Sequence, residues 1–190
     1  WTLGSCPLCR QRAAEIGLGG VFAAHAAYLN GLVREHGRRM WMWADMCFYY
    51  EGVLERLPRE IVMVDWHYGH LAELPVFSFR NWRAIDSTSQ LVDAGFTVVP
   101  GGGFDIDNVR TFTRYVGGHG IDTFLATSWE GSLRFPDGDL PALCAVGNYL
   151  ATGALADWRT IGAQLLPEWK EAERREFMLA LQSGHGGDPE

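Results

Sequence analysis

The sequence predicts an α/β fold in which parallel strands alternate with helices. Four stretches, at residues 40–45, 61–66, 96–99 and 123–128, carry apolar side chains on both faces of an extended chain. Near-continuous apolar runs of this kind are typical of strands that are covered on both sides, as in parallel sheets. The strands start about 20 to 35 residues apart, which is the spacing of strand–helix units joined by crossover connections.

Helices are predicted before, between and after these strands. Ser5 or Cys6 could precede a helix, with Pro7 near its first turn. Residues 21–36 repeat apolar side chains at helical spacing and stop at Gly37. Residues 83–94 form a second helix that ends at Gly95, and residues 106–116 form a third, capped by Asp105 or Asp107. Further helices are expected at 140–150, 157–166 and 168–181. A short helix at 53–57 and an aromatic loop at 48–52 connect the first two strands.

Four strand–helix units make either a doubly wound sheet or part of a (β/α)8 barrel. A complete barrel needs eight strands and about 250 residues, whereas this chain has 190 residues and begins at a helix. We therefore interpret residues 1–182 as the C-terminal half of a (β/α)8 TIM barrel, with about four parallel strands and flanking helices. Residues 183–190 are expected to be a frayed tail.

Composition excludes some partners. The formal net charge is −7, with 16 Lys and Arg against 23 Asp and Glu, so no basic surface for nucleic acid is expected. No run of about 18 consecutive apolar residues occurs, so no membrane-spanning helix is expected. The sequence opens at Trp1 rather than at methionine, and it assigns no cellular compartment.

Tryptophan and carboxylate residues cluster where the predicted strands end. In a barrel, the C-terminal ends of the strands form the ligand-binding face. Indole rings stack on the aliphatic face of a pyranose, and carboxylates accept hydrogen bonds from its hydroxyls, so these residue types predict a sugar site. As alternatives, each tryptophan is as readily part of the core, and the acids form ion pairs with nearby loops. The strand ends carry Trp43 and Asp45, then Asp65, Trp66 and Tyr68, then the turn at 101–103, then Trp129 and Glu130.

Two other patterns compete with the sugar site. Cys6 and Cys9 form a single Cys-x-x-Cys, to which Cys47, His67 and His70 could add zinc ligands, but structural zinc sites usually show two paired motifs. Thiol redox chemistry is less favoured still, because the strand–helix–strand context of thioredoxin is absent. The glycines at 101–103 precede a helix and could cradle a phosphate, but two acids come after them, so a plain tight turn is preferred. No metal and no cofactor are predicted.

Four motifs, taken in order and spacing, resemble the second half of a family 20 glycoside hydrolase, the family of the β-N-acetylhexosaminidases. They are GRRMWMWADM at 37–46, LPREIVMVDWHY at 57–68, DAGFTVVPG at 93–101 and FLATSWEG at 124–131. The similarity spans about residues 1–150. It implies hydrolysis of terminal N-acetylhexosamines with retention, in which the substrate's own 2-acetamido group is the nucleophile.

The resemblance also implies roles for individual residues. In the family, an Asp-Glu pair at the end of the fourth barrel strand orients the acetamido group and supplies the general acid and base. The opening WTLG matches the family's residues immediately after that pair, so the pair would lie just before Trp1 and this chain holds no catalytic residue. Trp43 and Trp66 match tryptophans that line the sugar pocket, and Asp45 matches an acid beside the first of them. Trp129 and Glu130 match a tryptophan and an acid that hold the sugar's face and distal hydroxyls.

One strand departs from the family pattern. Many members carry a Tyr and an Asp on the third strand, whereas this chain reads VVPGGG at 98–103; Tyr68 could supply the missing hydroxyl from the neighbouring strand. The expected partners are an N-acetylhexosamine-containing glycan and the N-terminal half of the barrel, without nucleic acid or membrane. The chain alone is expected to be inactive. The alternatives are a non-catalytic carbohydrate-binding or scaffold protein on a barrel-like fold, and a small α/β domain with a metal at Cys6 and Cys9.

Overall fold

A computed structural model describes residues 3–68, 76–77, 83–102, 106–127 and 140–176 of the chain. Within these residues the fold is mixed α/β, with a four-stranded parallel sheet and flanking helices. The helices are α1 (Pro7–Glu35), α2 (Asp45–Tyr49), α3 (Ser87–Asp93), α4 (Ile106–Gly117), α5 (Leu140–Thr152) and α6 (Trp158–Leu165). The strands are β1 (Trp41–Trp43), β2 (Val62–Trp66), β3 (Val76–Phe77), β4 (Arg83–Ala84), β5 (Thr97–Gly102) and β6 (Leu125–Ala126).

The parallel sheet keeps its strands in chain order. That order is β1-β2-β5-β6, and the intervening β3 and β4 pair with each other as a separate antiparallel hairpin. By internal contacts the chain divides into two units, one of Trp1–Trp66 with Leu74–Val99, the other of His67–Glu73 with Pro100–Glu190. The first unit therefore contains β1, β2 and the start of β5, and the second contains the end of β5 and β6.

Helix α1 runs along the first unit in two segments. The two segments meet at a kink at Gly17, whose φ of 74° is non-helical. Glycine adopts this conformation without the steric cost of a Cβ. Beyond the break, Asn30 and Arg34 both donate to Oε1 of Glu60, at 3.1 and 2.9 Å. Arg56, in the short 3-10 helix at Leu54–Arg56, donates to the Ile16 carbonyl at 2.8 Å. These bonds fix α1 to the loop that precedes β2.

By length and average composition, α1 is apolar enough to cross a membrane, with a mean hydropathy of 1.4 over its best 18-residue window. A third of that window is buried in the structure (33%), which is less than in the core helix of a globular domain, since such a helix is mostly buried. The absence of a membrane partner therefore stays a prediction.

The second unit has its own apolar core. Phe112 of α4 is fully buried, and its ring meets those of Phe124 and His67 edge-on, with centroids 5.6 and 5.2 Å apart. Helix α5 packs between α4 and α6. The cluster consists of buried residues from α4, α5 and α6 together with the residue that precedes β6: Ile106, Val109, Phe112, Val116, Phe124, Ala142, Ala145, Val146 and Ile161.

Most predicted elements are present, but several differ in extent. The first strand ends at Trp43 rather than at residue 45, and helix α2 (Asp45–Tyr49) includes the first two residues of the aromatic loop predicted at 48–52. The helix predicted over 83–94 is confined to Ser87–Asp93, since Asp86 caps it by accepting from Ser89 N–H at 3.2 Å and residues 83–84 form β4. Gly101 and Gly102, predicted as a tight turn, continue β5 as strand. The predicted helix at 168–181 is helical at 171–176, and the expected frayed tail at 183–190 lies outside the described residues.

Position 102 of β5 is occupied by glycine because the neighbouring atoms leave no room for a side chain. A Cβ there would stand 2.7 Å from Asn108 Oδ1, 3.0 Å from the Phe124 ring and 3.2 Å from the His67 carbonyl oxygen. The Gly102 carbonyl accepts from the Thr127 N–H at 2.9 Å. Close packing of backbones, rather than a turn or a phosphate cradle, therefore explains this glycine.

Candidate functional site

Tryptophans share one face of the β1–β2 pair. The register pairs Trp41 with Val62 and Trp43 with Val64, so these four side chains lie on the same side of the sheet. Trp66, two residues beyond Val64, is on that side as well. We call this surface, made by Trp41, Trp43 and Trp66, the indole face.

The indole face is open to solvent on its edge strand. Trp41 is 53% exposed and Trp43 is 39% exposed, and Trp66 is half-buried. Neighbouring strands lie about 4.8 Å apart and rise about 3.3 Å per residue, which places the backbones of Trp43 and Trp66 about 8 Å from each other. Two indoles at that separation can contact a single small ligand.

Asp45 lies beside the indole face as the first residue of α2. Its carboxylate is half-buried and carries a charge that the helix N-terminus favours. Burial, and secondly the Asp45 charge, raise the pKa of the Cys47 thiol to about 12. A carboxylate in this position can accept hydrogen bonds from the hydroxyls of a ligand.

Asp65 does not join the indole face, contrary to the expectation from sequence. It alternates with Val64 and Trp66 along β2, so its side chain points to the opposite side of the sheet. There Oδ2 accepts from the Ser87 and Thr88 hydroxyls at 2.9 and 2.7 Å, and all three residues are buried. The carboxylate thus fixes the first turn of α3 to the end of β2 and is satisfied by protein groups.

The remaining predicted site residues belong to the second unit. Tyr68 is half-buried, two residues beyond the end of β2. Trp129 and Glu130 lie outside the described residues, as do Gly103 and His70. The structure therefore brings Trp43, Asp45 and Trp66 together in the first unit, and the roles of Tyr68, Trp129 and Glu130 stay predictions.

His67 has a structural setting in the second unit. Its carbonyl accepts from Nδ2 of Asn108 at 2.9 Å, and its N–H donates to the Gly101 carbonyl at 2.9 Å. The side chain is buried, with its ring edge against Phe112. Among the residues that the structure describes, no three or more His, Cys, Asp or Glu side chains are grouped so that they could hold a metal ion. The zinc alternative gains no support from this part of the chain.

A cavity that sequence reasoning misses lies beside α2 in the first unit. It has a volume of about 270 Å³, and Cys47, Tyr50, Glu51, Glu55 and Gln90 are among its lining residues. Neither Trp43 nor Trp66 lines it. The signal for these residues is the aromatic run at 48–50 with acids after it, a pattern that by itself predicts only a loop.

Comparison with known proteins adds nothing to the family resemblance, which therefore depends on the sequence motifs alone. No protein-family model matches the chain, and no curated protein matches it significantly. The site is thus defined by the residues themselves: two indoles on one sheet face, with an acid at the adjoining helix N-terminus.

Proposed function

We propose that this chain forms the C-terminal half of the catalytic barrel of a family 20-like glycoside hydrolase, which acts on terminal N-acetylhexosamine residues. The observation that carries this proposal is the strand order β1-β2-β5-β6, in which each parallel strand lies beside the next one in the chain. A barrel keeps its strands in chain order, whereas a doubly wound sheet reverses direction at a switch point.

The indole face supports a sugar as the ligand. Trp43 and Trp66 offer flat apolar plates on the same side of neighbouring strands, and Asp45 offers an acceptor beside them. A pyranose has an apolar C–H face for the indoles and hydroxyls for the carboxylate. The resemblance to the family implies that Trp129 and Glu130 hold the sugar's face and its distal hydroxyls, and Tyr68 is proposed to supply the hydroxyl for the acetamido oxygen.

The proposed mechanism divides the work between this chain and the residues that precede it. The substrate's acetamido oxygen attacks the anomeric carbon, while a Glu protonates the leaving oxygen and later activates water. By resemblance, that Glu and the Asp before it immediately precede Trp1. The residues of this chain hold the sugar and its acetamido group in the attacking position, which lowers the entropic part of the barrier.

The test is hydrolysis of a chromogenic N-acetylglucosaminide by this segment and by the segment extended upstream through a complete barrel. We expect turnover only in the extended protein and loss of turnover when its proposed acid is replaced by glutamine. Turnover by residues 1–190 alone would overturn the assignment of acid and base. An extended protein that neither binds nor cleaves the sugar would overturn the family proposal.

The exposure of Trp41 and Trp43 favours a second candidate, a carbohydrate-binding protein without catalysis. Exposed indoles on a sheet bind sugar faces whether or not an acid is positioned nearby. The upstream sequence separates the two: an Asp-Glu after an apolar strand favours the enzyme. An extended protein that binds N-acetylglucosamine at the indole face but never cleaves it would establish the binding function instead.

A further inference from the structure

Two thiols meet at the start of α1, far along the sequence from the indole face. Cys6 is the N-cap residue, in extended conformation with φ −83° and ψ 154°, and Pro7 comes next at the first helical position. The Cys6 sulfur accepts a hydrogen bond from the backbone N–H of Cys9 at 3.2 Å. A sulfur at a helix N-terminus lies at the positive end of the helix dipole, where negative charge is stabilised.

The two cysteine side chains also shift each other's pKa. A hydrogen bond from the Cys9 side chain, and secondly one from the Cys9 N–H, lower the pKa of the exposed Cys6 thiol. The same side-chain bond raises the pKa of Cys9. Because the pKa of Cys6 is lowered and that of Cys9 is raised, Cys6 is the thiol that ionises first. The charges of Arg10 and Arg12 add to this by favouring the thiolates.

The other two cysteines lack this setting. Cys47 is buried, and its thiol stays protonated because its pKa is raised to about 12. Cys144 is half-buried on α5, and burial raises its pKa too. Thiolates, not thiols, are the nucleophiles in cysteine chemistry. Reactivity is thus concentrated at Cys6.

We propose that Cys6 and Cys9 form a redox-active dithiol that small-molecule disulfides of the glutathione class oxidise to an intramolecular disulfide. This goes beyond the proposed glycosidase function and does not depend on it. Two thiolates make an incomplete zinc site, which needs four ligands, and the described residues supply no third or fourth. Two thiols three residues apart at a helix N-terminus do make a complete redox couple.

The reaction proceeds by two exchanges. The Cys6 thiolate attacks one sulfur of the disulfide, so that a Cys6–glutathione bond forms and one glutathione thiolate leaves. Cys9 then loses its proton to solvent and attacks the Cys6 sulfur, which releases the second glutathione thiolate. The protein dithiol gives up two electrons and two protons, and one glutathione disulfide becomes two glutathiones.

The experiment uses the 190-residue protein and glutathione disulfide as the probe. After exposure at pH 7.5, remaining thiols are blocked with a maleimide, and the tryptic peptide 1–10, which contains both cysteines and ends at Arg10, is weighed. We expect this peptide to lose two hydrogens and to take up no maleimide. Cys9→Ser is expected to retain glutathione on Cys6, and Cys144→Ser to behave as the unaltered protein.

A second measurement tests the contribution of the fold. Cys6 should react with a maleimide about tenfold faster than Cys144 in the native protein, and the preference should disappear in urea. Cys9→Ala, which removes the donor, should slow Cys6 more than Cys9→Ser, which keeps a hydroxyl. Equal native rates at Cys6 and Cys144, or glutathione that stays on Cys6 although Cys9 is intact, would overturn the proposal. Stoichiometric zinc in the purified protein that is lost in Cys6→Ser and in Cys9→Ser would replace it with a metal site.

Discussion

Replacing Thr88 by valine isolates one hydrogen bond in the interior of the first unit. The Thr88 hydroxyl donates to Oδ2 of Asp65 at 2.7 Å, and both residues are buried. Valine keeps the shape of threonine but places a methyl group where the hydroxyl was. The buried carboxylate then loses a donor that bulk water does not readily replace.

The magnitude depends on the charge and on the donor that remains. Hydrogen bonds to charged groups contribute about 1.5–3 kcal/mol each. Ser87 still donates to the same oxygen at 2.9 Å. The loss of stability should therefore stay below the about 3–5 kcal/mol that is typical when a buried charge loses its partner. We expect Thr88→Val to lower the free energy of unfolding by about 1.5–3 kcal/mol. Adding Ser87→Ala should cost more than it does alone, because the two hydroxyls share one acceptor.

The assay is urea unfolding monitored by far-ultraviolet circular dichroism, in which the midpoint should fall while the slope stays the same. Thr123→Val is the matched control, because Thr123 is exposed and its replacement should change the free energy by no more than about 0.5 kcal/mol. A loss below about 0.5 kcal/mol in Thr88→Val, or an equal loss in the control, would refute the assignment of Asp65 as a structural carboxylate.

Four further predictions concern other parts of the chain. Gly102→Ala should destabilise by about 1–3 kcal/mol through overpacking, whereas Gly147→Ala, with open space around it within α5, should stabilise by about 0.5–1 kcal/mol in the same urea assay. The raised pKa of Cys47 means that the unfolded state loses this proton first, so stability should fall between about pH 9 and 12; Cys47→Ala should flatten that fall. In the proposed enzyme, extended upstream, Trp43→Ala should lower kcat/KM about tenfold or more, and Trp169→Ala should leave it unchanged. Finally, residues 1–190 alone should self-associate in size-exclusion chromatography, because β1 is an edge strand.

Each of these has an outcome that contradicts it. Equal stability of the two alanine variants would remove the close-packing account of Gly102. A pH profile unaffected by Cys47→Ala would show that another group titrates in that range. Identical kinetics for Trp43→Ala and Trp169→Ala would remove the indole face from the site, and a well-behaved monomer would count against the half-barrel interpretation.

Sequence reasoning locates elements whose pattern is local. The second predicted strand differs from β2 by one residue, because its unbroken apolar run is a strong local signal. The predicted helix at 106–116 likewise matches α4, whose apolar side chains repeat at helical spacing and end at Gly117. The helix start expected after Ser5 or Cys6, with Pro7 near the first turn, is confirmed, because α1 begins at Pro7 and continues through the helix predicted over 21–36.

The tertiary setting of polar and glycine residues is beyond the reach of sequence patterns. Asp65 and Asp45 look alike in sequence, each close to a tryptophan, yet their surroundings differ because strand alternation sends Asp65 to the side of α3. Position 102 requires glycine because Asn108 and Phe124 lie close to it in space. Neither contact can be read from the residues next to Gly102 in the sequence. The pairing of Cys6 with Cys9 is visible in the sequence, but the N-cap position that makes one thiol acidic depends on where α1 begins.

Main-chain hydrogen bonds between β1 and β2 decide which side chains the indole face presents. Val62 N–H donates to the Met40 carbonyl and Ala44 N–H to the Val64 carbonyl, each at 2.9 Å, and these two bonds bracket β1. If β1 slipped by one residue against β2, Met42 would be presented in place of the two indoles. Because these bonds join main-chain atoms, truncating an indole should leave the strand pairing intact, so that the side chains of this face can be exchanged without disturbing the scaffold beneath them.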